Sequence, residues 1–148
     1  MDEKYMRLAL EEAKKSYESD DVPVGAVMVY HDQVIAKTHN LKHTNQIATH
    51  HAEILAISSA CKQLNNWHLD ECTLYVTMEP CLMCAGAILQ SRIKRLVYAT
   101  TNPKFGYVDS IDHVLNRSEN NHEVEVVSGV CKTEAAELLK DFFLEKRN

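Results

Sequence analysis

The sequence lacks any apolar stretch long enough to cross a bilayer, which takes about 20 consecutive apolar residues. Its first twenty residues carry acids throughout, and they have neither a long apolar run nor a small-residue cleavage site. They therefore do not resemble a signal peptide. These absences exclude a helical membrane protein and predict a cytoplasmic location.

The sequence also lacks the even set of cysteines that a disulfide-rich domain uses. It has five cysteines, and an odd number in a chain without an export signal favours reduced thiols and metal ligation. Cys61, Cys72 and Cys131 have no partner at C-x-x-C spacing. We expect these three to be small buried hydrophobes.

An excess of positive charge is absent as well. The net charge is −5 and the isoelectric point is about 5.9, whereas domains that bind nucleic acid are usually basic. Overall charge therefore counts against an RNA substrate. Basic residues cluster locally at Arg92, Lys94, Arg95 and Lys104, and again at Lys140, Lys146 and Arg147. We favour solvated helix ends over a binding surface for each cluster taken alone.

The composition is that of an ordinary globular protein. Hydrophobic residues make up 45% and charged residues 25% of the 148 residues, which argues against disorder. The length suits one domain with a substantial core. No repeat or linker interrupts the chain, so residues 1–148 are predicted to form a single domain.

Hydrophobic periodicity predicts alternating helices and strands. Helices are expected over residues 3–17, 51–62 and 132–145, with another that begins at Pro80 and a short one around 111–115. Strands are expected over 24–30, 34–37, 73–77, 95–100 and 123–127, the first two forming a hairpin through His31, Asp32 and Gln33. This order predicts an α/β domain with a mixed sheet covered by helices on both faces.

Two short runs carry the chemistry. His51-Ala52-Glu53 and Pro80-Cys81-Leu82-Met83-Cys84 together match H-x-E…P-C-x-x-C, the zinc deaminase signature. Cysteines at positions i and i+3 of a helical turn share one face, so both sulfurs can reach one ion. His51, Cys81 and Cys84 are three ligands, the number that leaves catalytic zinc a fourth position for water.

Glu53 is the predicted proton carrier of this site. It lies two positions after His51, which suits a carboxylate that takes a proton from water and delivers it to the substrate. The alternative is a solvent-facing acid in a first helical turn. His50 is a rival metal ligand, but only His51 has the H-x-E spacing from Glu53.

With these residues in view, the chain resembles the bacterial tRNA-specific adenosine deaminases. The resemblance covers nearly the whole length and is carried by residues 21–27, 51–54, 73–87 and 91–93. It implies a three-layer αβα, cytidine deaminase-like fold with a five-stranded mixed sheet in the order 2-1-3-4-5. It also implies a homodimer with one Zn²⁺ per subunit, in which both subunits shape the RNA site.

The activity implied by the resemblance is hydrolytic deamination of the wobble adenosine of a tRNA anticodon to inosine. A zinc-activated water is the implied nucleophile, and Glu53 is the implied proton shuttle. Asn40 matches the family asparagine that contacts the flipped nucleoside; the alternative is an ordinary loop asparagine.

Further substrate contacts are implied at Asn102 and Lys104, in the loop after the fourth strand, and at Phe142 on the final helix. Stacking and charge are the usual means of holding splayed RNA bases. The alternative for Phe142 or Phe143 is packing of that helix on the sheet.

The sequence departs from the family pattern at some of these positions. Asn102 replaces an aspartate that is common among bacterial members, and His50 replaces a small residue beside the zinc histidine. Tyr107-Val108-Asp109 also differs from the small residues usual there. These changes leave the zinc chemistry intact and bear on the preference among tRNAs.

Two other functions remain open from the residues alone. A deaminase of free bases or nucleosides, such as guanine or cytosine, would share every zinc residue, because only the substrate-side loops differ. A zinc-stabilised binding module without catalysis is the other, but a structural site has no use for Glu53 as a base.

Overall fold

The computed structural model describes residues 1–147 and contains five helices, five strands and one 3₁₀ turn. The helices are α1 (Asp2–Glu18), α2 (Lys42–Asn45), α3 (Ala52–Leu64), α4 (Leu82–Gln90) and α5 (Lys132–Arg147). The strands are β1 (Gly25–Tyr30), β2 (Gln33–His39), β3 (Cys72–Met78), β4 (Arg95–Thr100) and β5 (Glu125–Ser128). None of the described helices is both long enough and apolar enough to cross a membrane.

The strands form one mixed sheet in the order β2-β1-β3-β4-β5. β1 is antiparallel to both β2 and β3, whereas β3, β4 and β5 run parallel. Parallel neighbours need a crossover connection, and α4 supplies it between β3 and β4. The predicted fold class and strand order are confirmed.

Alternating side chains of the central strands enter two separate cores, because successive residues of a strand point to opposite faces. Leu74 and Val76 of β3 pack with the alanine-rich faces of α3 and α4. Tyr75, between them, belongs to the second core with Tyr5 and Ala9 of α1. The helices therefore lie on both faces of the sheet, as the sequence predicts.

The β1–β2 hairpin is tighter than expected. Tyr30 pairs with Gln33, so only His31 and Asp32 form the loop, with positive φ angles of 47° and 63°. Two positive φ values are the mark of a type I′ turn, whose twist matches that of the strands. The predicted connection of three residues was therefore one residue too long, and the predicted strand over 34–37 was too short.

Several predicted boundaries were also wrong. α4 begins at Leu82, with Cys81 as its N-cap, so Pro80 precedes the helix instead of opening it. The helix expected around 111–115 is a 3₁₀ turn at Val114–Asn116, and the last strand is Glu125–Ser128. A one-turn helix, Lys42–Asn45, lies where no helix was predicted.

The amino end of β4 is tied to the start of α1 by a partly buried ion pair. Both terminal nitrogens of Arg95 donate to the two carboxylate oxygens of Asp2, at 2.8 and 2.7 Å. The hydroxyl of Tyr75 donates to the same carboxylate at 2.7 Å. The hydrogen bonds from Arg95 are the main reason that the pKa of Asp2 falls to about 2, although burial opposes them.

Removal of this carboxylate should weaken the fold in a pH-dependent manner. We expect Asp2→Asn to lower the free energy of unfolding by about 1 kcal/mol at neutral pH, a value reduced for partial exposure. A depressed pKa contributes stability above the unfolded value of 3.8, and that stability is lost as the pH falls towards about 2. Urea titrations should therefore show a constant gap between wild type and variant from pH 8 to 5, narrowing below pH 4. A gap that widens in acid would contradict this account.

Candidate active site

Three potential metal ligands meet where two helices begin. His51 is the N-cap of α3, Cys81 is the N-cap of α4, and Cys84 lies in the first turn of α4. The amino end of a helix carries partial positive charge, which favours anionic groups such as thiolates. The two helix starts therefore provide both the geometry and the electrostatics for a cysteine-containing site.

The distances between these side chains fit a zinc ion. Nδ1 of His51 lies 3.7 Å from Sγ of Cys81 and 3.6 Å from Sγ of Cys84. Tetrahedral zinc, with its usual bond lengths to nitrogen and sulfur, places such atoms about 3.5 Å apart. All three ligand atoms lie within 4.8 Å of one another. The sequence predicted these three residues as ligands, and the structure brings them together.

The pKa values of the two thiols are shifted in opposite directions. Hydrogen bonds from Cys84 and His51 lower the pKa of Cys81 to about 4, even though burial opposes them. The pKa of Cys84 is raised, first by its hydrogen bond to Cys81 and then by burial. The lowered pKa of Cys81 favours its thiolate, which is the form of cysteine that binds metal.

Glu53 lies beside the ligand cluster in the first turn of α3 and is only 4% exposed. Burial raises its pKa to about 7, opposed by the nearby His51 and by a hydrogen bond with Cys84. A divalent cation next to it would act in the same direction as His51 and lower this pKa. The alternative of a solvent-facing acid does not describe this side chain.

Asn40 connects the two segments that flank the site. Its Oδ1 accepts a hydrogen bond from the Ala52 amide at 2.8 Å, and its Nδ2 donates to the Val22 carbonyl at 3.1 Å. The first amide of α3 is therefore satisfied by the side chain of the residue that follows β2. One hydrogen of the Asn40 amide group remains available to a substrate acceptor.

The short α2 loop is held by a buried carboxylate that sequence analysis did not single out. Asp21 is 2% exposed and accepts hydrogen bonds from the amides of His43 and Thr44. The Thr44 hydroxyl also donates to it at 2.5 Å. Because these donors lie 22 or 23 residues along the chain, no local pattern identifies the contact. Asp21 fixes the segment that follows Asn40.

His50, the rival ligand, is engaged elsewhere. Its Nδ1 lies 2.9 Å from Nδ2 of Asn45, and its carbonyl accepts from the Leu41 amide. It is not a member of the ligand cluster among the described residues. His50 thus braces the α2 loop, whereas His51 faces the two cysteines.

Asn102 and Lys104 lie on the loop that follows β4, beside the metal ligands. Gly106 of this loop forms a β-bridge with Cys81, and the Tyr107 amide donates to the Pro80 carbonyl at 3.0 Å. The Oδ1 atom of Asn102 accepts a hydrogen bond from the Phe105 amide. The NH₂ group of the Asn102 side chain takes no part in this hydrogen bond. Lys104 and Phe105 are both exposed. This loop can therefore reach a substrate bound over the cluster.

The final helix presents a different aromatic residue from the one predicted. Phe142 is 5% exposed and packs edge-on against Tyr17 of α1. Phe143 is 45% exposed. The packing alternative thus describes Phe142, and the aromatic available for stacking is Phe143. Lys146 is paired with Asp20 at 2.5 Å.

Comparison with known proteins gives a consistent family. A family model for the MafB19-like deaminases matches residues 1–147. A tRNA-specific adenosine deaminase of Bacillus subtilis is 47% identical over 99% of this chain and 91% of its own length. A tRNA-specific adenosine deaminase of Aquifex aeolicus is 41% identical over 99% and 96%. The chain belongs to the tRNA-specific adenosine deaminases.

Two solved deaminase structures superpose closely on this chain. A chain from a study of A-to-I editing by tRNA:A34 deaminases at the wobble position superposes with a TM-score of 0.89 and is 43% identical, over 92% of this chain and 99% of that one. A guanine deaminase from Nitrosomonas europaea superposes with a TM-score of 0.82 at 25% identity, over 95% and 83%. The resemblance drawn from the sequence is confirmed.

Loss of a cysteine ligand should empty the metal site. Mutation of a residue that only hydrogen-bonds to a metal ligand typically weakens metal binding by about 10- to 100-fold. We expect Cys84→Ser, which changes a ligand itself, to weaken zinc binding by more than this. The matched control is Cys61→Ser, because Cys61 lies near the carboxyl end of α3, is not a member of the ligand cluster among the described residues, and its thiol donates a hydrogen bond to the Trp67 carbonyl at 3.9 Å. Metal content measured by elemental analysis after chelator dialysis should fall in the first variant and stay at the wild-type level in the second.

Proposed function

We propose that this protein hydrolyses the 6-amino group of adenosine at the wobble position of a tRNA anticodon, producing inosine and ammonia. The observation that carries the proposal is the convergence of His51, Cys81 and Cys84 beside the buried carboxylate of Glu53. Near full-length relatives named tRNA-specific adenosine deaminase support the substrate.

The residues of the site divide the chemistry between them. His51, Cys81 and Cys84 would hold one zinc ion, which as a Lewis acid makes water a nucleophile near neutral pH. The Glu53 carboxylate takes a proton from the attacking water and delivers it to N1 of the adenine ring. The same side chain then carries the proton of the new C6 hydroxyl to the amino nitrogen, so that ammonia leaves as the C6–N bond breaks and the C6 carbonyl of inosine forms.

Burial gives Glu53 the environment that this role requires. At 4% exposure the carboxylate has little competing water, and it is fixed to the first turn of α3, next to His51. A proton carrier must stay within hydrogen-bond reach of both the water and the base. Attachment to the helix that also carries a metal ligand maintains that distance.

Substrate contacts are proposed on both sides of the cluster. Asn40 can donate its remaining amide hydrogen to the base or ribose, since its other two polar positions are already used. Asn102 and Lys104 lie on the loop next to Cys81, where an amide and an ammonium group suit a polar nucleotide and its phosphate. Phe143 replaces Phe142 as the aromatic contact proposed on α5.

A deaminase of a free base is the second candidate. The observation that favours it is the fold shared with the guanine deaminase at a TM-score of 0.82. The acidic net charge of −5 also suits a small substrate better than RNA. The zinc residues do not distinguish the two candidates, because both reactions need the same nucleophile and proton carrier.

The assembly and the compartment belong to the same proposal. We infer a cytoplasmic homodimer, following the family resemblance. The five cysteines are all unpaired, which agrees with a reducing compartment. Leu82 and Phe105 are 54% and 65% exposed beside the ligand cluster, and a partner subunit would remove this apolar surface from water.

Sequencing of the wobble position tests the function directly. Zinc-loaded protein incubated with an anticodon stem-loop bearing a wobble adenosine should convert it to inosine, read as guanosine after reverse transcription. A stem-loop with the adenosine moved to the neighbouring anticodon position is the matched control and should remain unedited. Parallel incubations with guanine and cytosine test the second candidate. Release of ammonia from a free base without formation of inosine would overturn the proposal.

Replacement of the proton carrier should abolish turnover without emptying the site. We expect Glu53→Gln to lower kcat by about 100- to 10,000-fold, because general acid–base catalysis contributes that range. Zinc content should equal that of the wild type, since Glu53 is not among the ligands. A variant with full zinc and full activity would refute the assigned role. Zinc with no activity in the wild type would instead indicate the non-catalytic binding module.

A further inference from the structure

A second buried carboxylate lies directly before the metal-binding helix. Glu79 follows the end of β3 and is only 1% exposed. Its amide donates to the Thr100 carbonyl at 2.8 Å, which joins the ends of β3 and β4. The next residues in the chain are Pro80 and the ligand Cys81. The side chain of Glu79 has no part in the mechanism described above.

This carboxylate collects five hydrogen bonds from the loop that follows β4. Oε1 accepts from the Asn102 amide at 3.0 Å and from the Ser110 hydroxyl. Oε2 accepts from the amides of Val108, Asp109 and Ser110 at 3.1, 2.7 and 2.9 Å. A carboxylate has about four lone-pair sites, so its accepting capacity is filled. Every one of these donors belongs to residues 102–110.

The backbone of the loop wraps closely around the carboxylate. A Cβ atom on Gly106 would lie 2.4 Å from Cδ of Glu79 and 2.6 Å from the Asn102 carbonyl oxygen. The same glycine forms the β-bridge with Cys81. Only a residue without a side chain fits between the carboxylate and the loop. The position of the loop relative to the metal ligands is thus set at Glu79.

The five donors around Glu79 match a carboxylate group, which only accepts hydrogen bonds. All five groups are donors, and a protonated or amide side chain would direct a hydrogen at one or more of them.

We infer that Glu79 is a positioning residue for substrate binding: its carboxylate fixes loop 102–110 against the Cys81 segment so that Asn102 and Lys104 meet the bound nucleotide. This inference rests on the proposed function. Among the described residues, 101–110 contain no helix and no strand of the sheet, so the loop has no internal ladder to hold its shape. Without the carboxylate, the loop would have to become ordered each time substrate binds. The free-energy cost of that ordering would weaken binding and raise KM.

Glu79→Gln tests the inference through two readouts. The first is hydrogen exchange: we expect the amides of 102, 108, 109 and 110 to lose protection, while those of α4 and β4 keep it. The second is kinetics with the anticodon stem-loop: KM should rise about tenfold or more, since hydrogen bonds to a charged group are lost. The value of kcat and the zinc content should remain within about threefold of wild type, because the ligands and Glu53 are untouched.

Two further variants separate positioning from general loss of stability. Asp2→Asn is the matched control, since it also removes a carboxylate with three hydrogen bonds, but at the opposite end of the sheet. It should lower stability and leave KM unchanged. Gly106→Ala displaces the loop while it keeps every polar group, and it should reproduce the rise in KM. If Glu79→Gln does not fold, the KM of Gly106→Ala tests the positioning role: an unchanged KM would overturn it.

The outcomes distinguish this inference from the proposed function. Lost protection with an unchanged KM would overturn the positioning role and leave the deaminase activity standing. A uniform fall in kcat and zinc content would show that Glu79 supports the metal ligands instead, and would also overturn it. If wild-type protein forms no inosine, the proposed function fails, and the exchange experiment still decides whether Glu79 anchors the loop.

Discussion

The structure depends on the convergence of two helix starts at the carboxyl end of the central strands. α3 begins at His51 and α4 begins at Cys81, so the first turns of both helices determine where the ligand atoms lie. Separations of 3.6 and 3.7 Å between histidine nitrogen and cysteine sulfur follow from that arrangement. A shift of either helix by one residue would turn a ligand away, because successive helical residues point about 100° apart.

Buried carboxylates extend this arrangement to the segments that surround the cluster. Asp21 accepts from the loop that contains α2, and Glu79 accepts from the loop after β4. Each is almost inaccessible to water, at 2% and 1% exposure. The proposed substrate contacts Asn40 and Asn102 lie in or next to these segments. An acceptor beneath each loop gives that loop a defined shape next to the ligand cluster.

Much of the fold was predictable because it rests on local patterns. Alternation in β3 and β4 and helical spacing in α1 and α3 reflect which face of each element is buried, and the strand order followed from the family resemblance. Boundaries were less predictable. Pro80 suggested a helix start that lies at Leu82. The residues after Lys42 form a helical turn whose amides at His43 and Thr44 are capped by Asp21, 22 and 23 residues away.

The sequence by itself was enough to predict the three potential ligands and the proposed proton carrier, since the spacings of His51, Glu53, Cys81 and Cys84 are short and each pair lies within one helical turn. Only the tertiary structure decided how these pairs meet and which side chains hold the loops around the ligand cluster. The Asn40 contact to Ala52 spans 12 residues, and those of Glu79 span 23 to 31. It also decided that Phe142 is buried against Tyr17. Such contacts depend on which segments of the chain the sheet brings together. The periodicity of a single helix or strand does not predict these long-range neighbours.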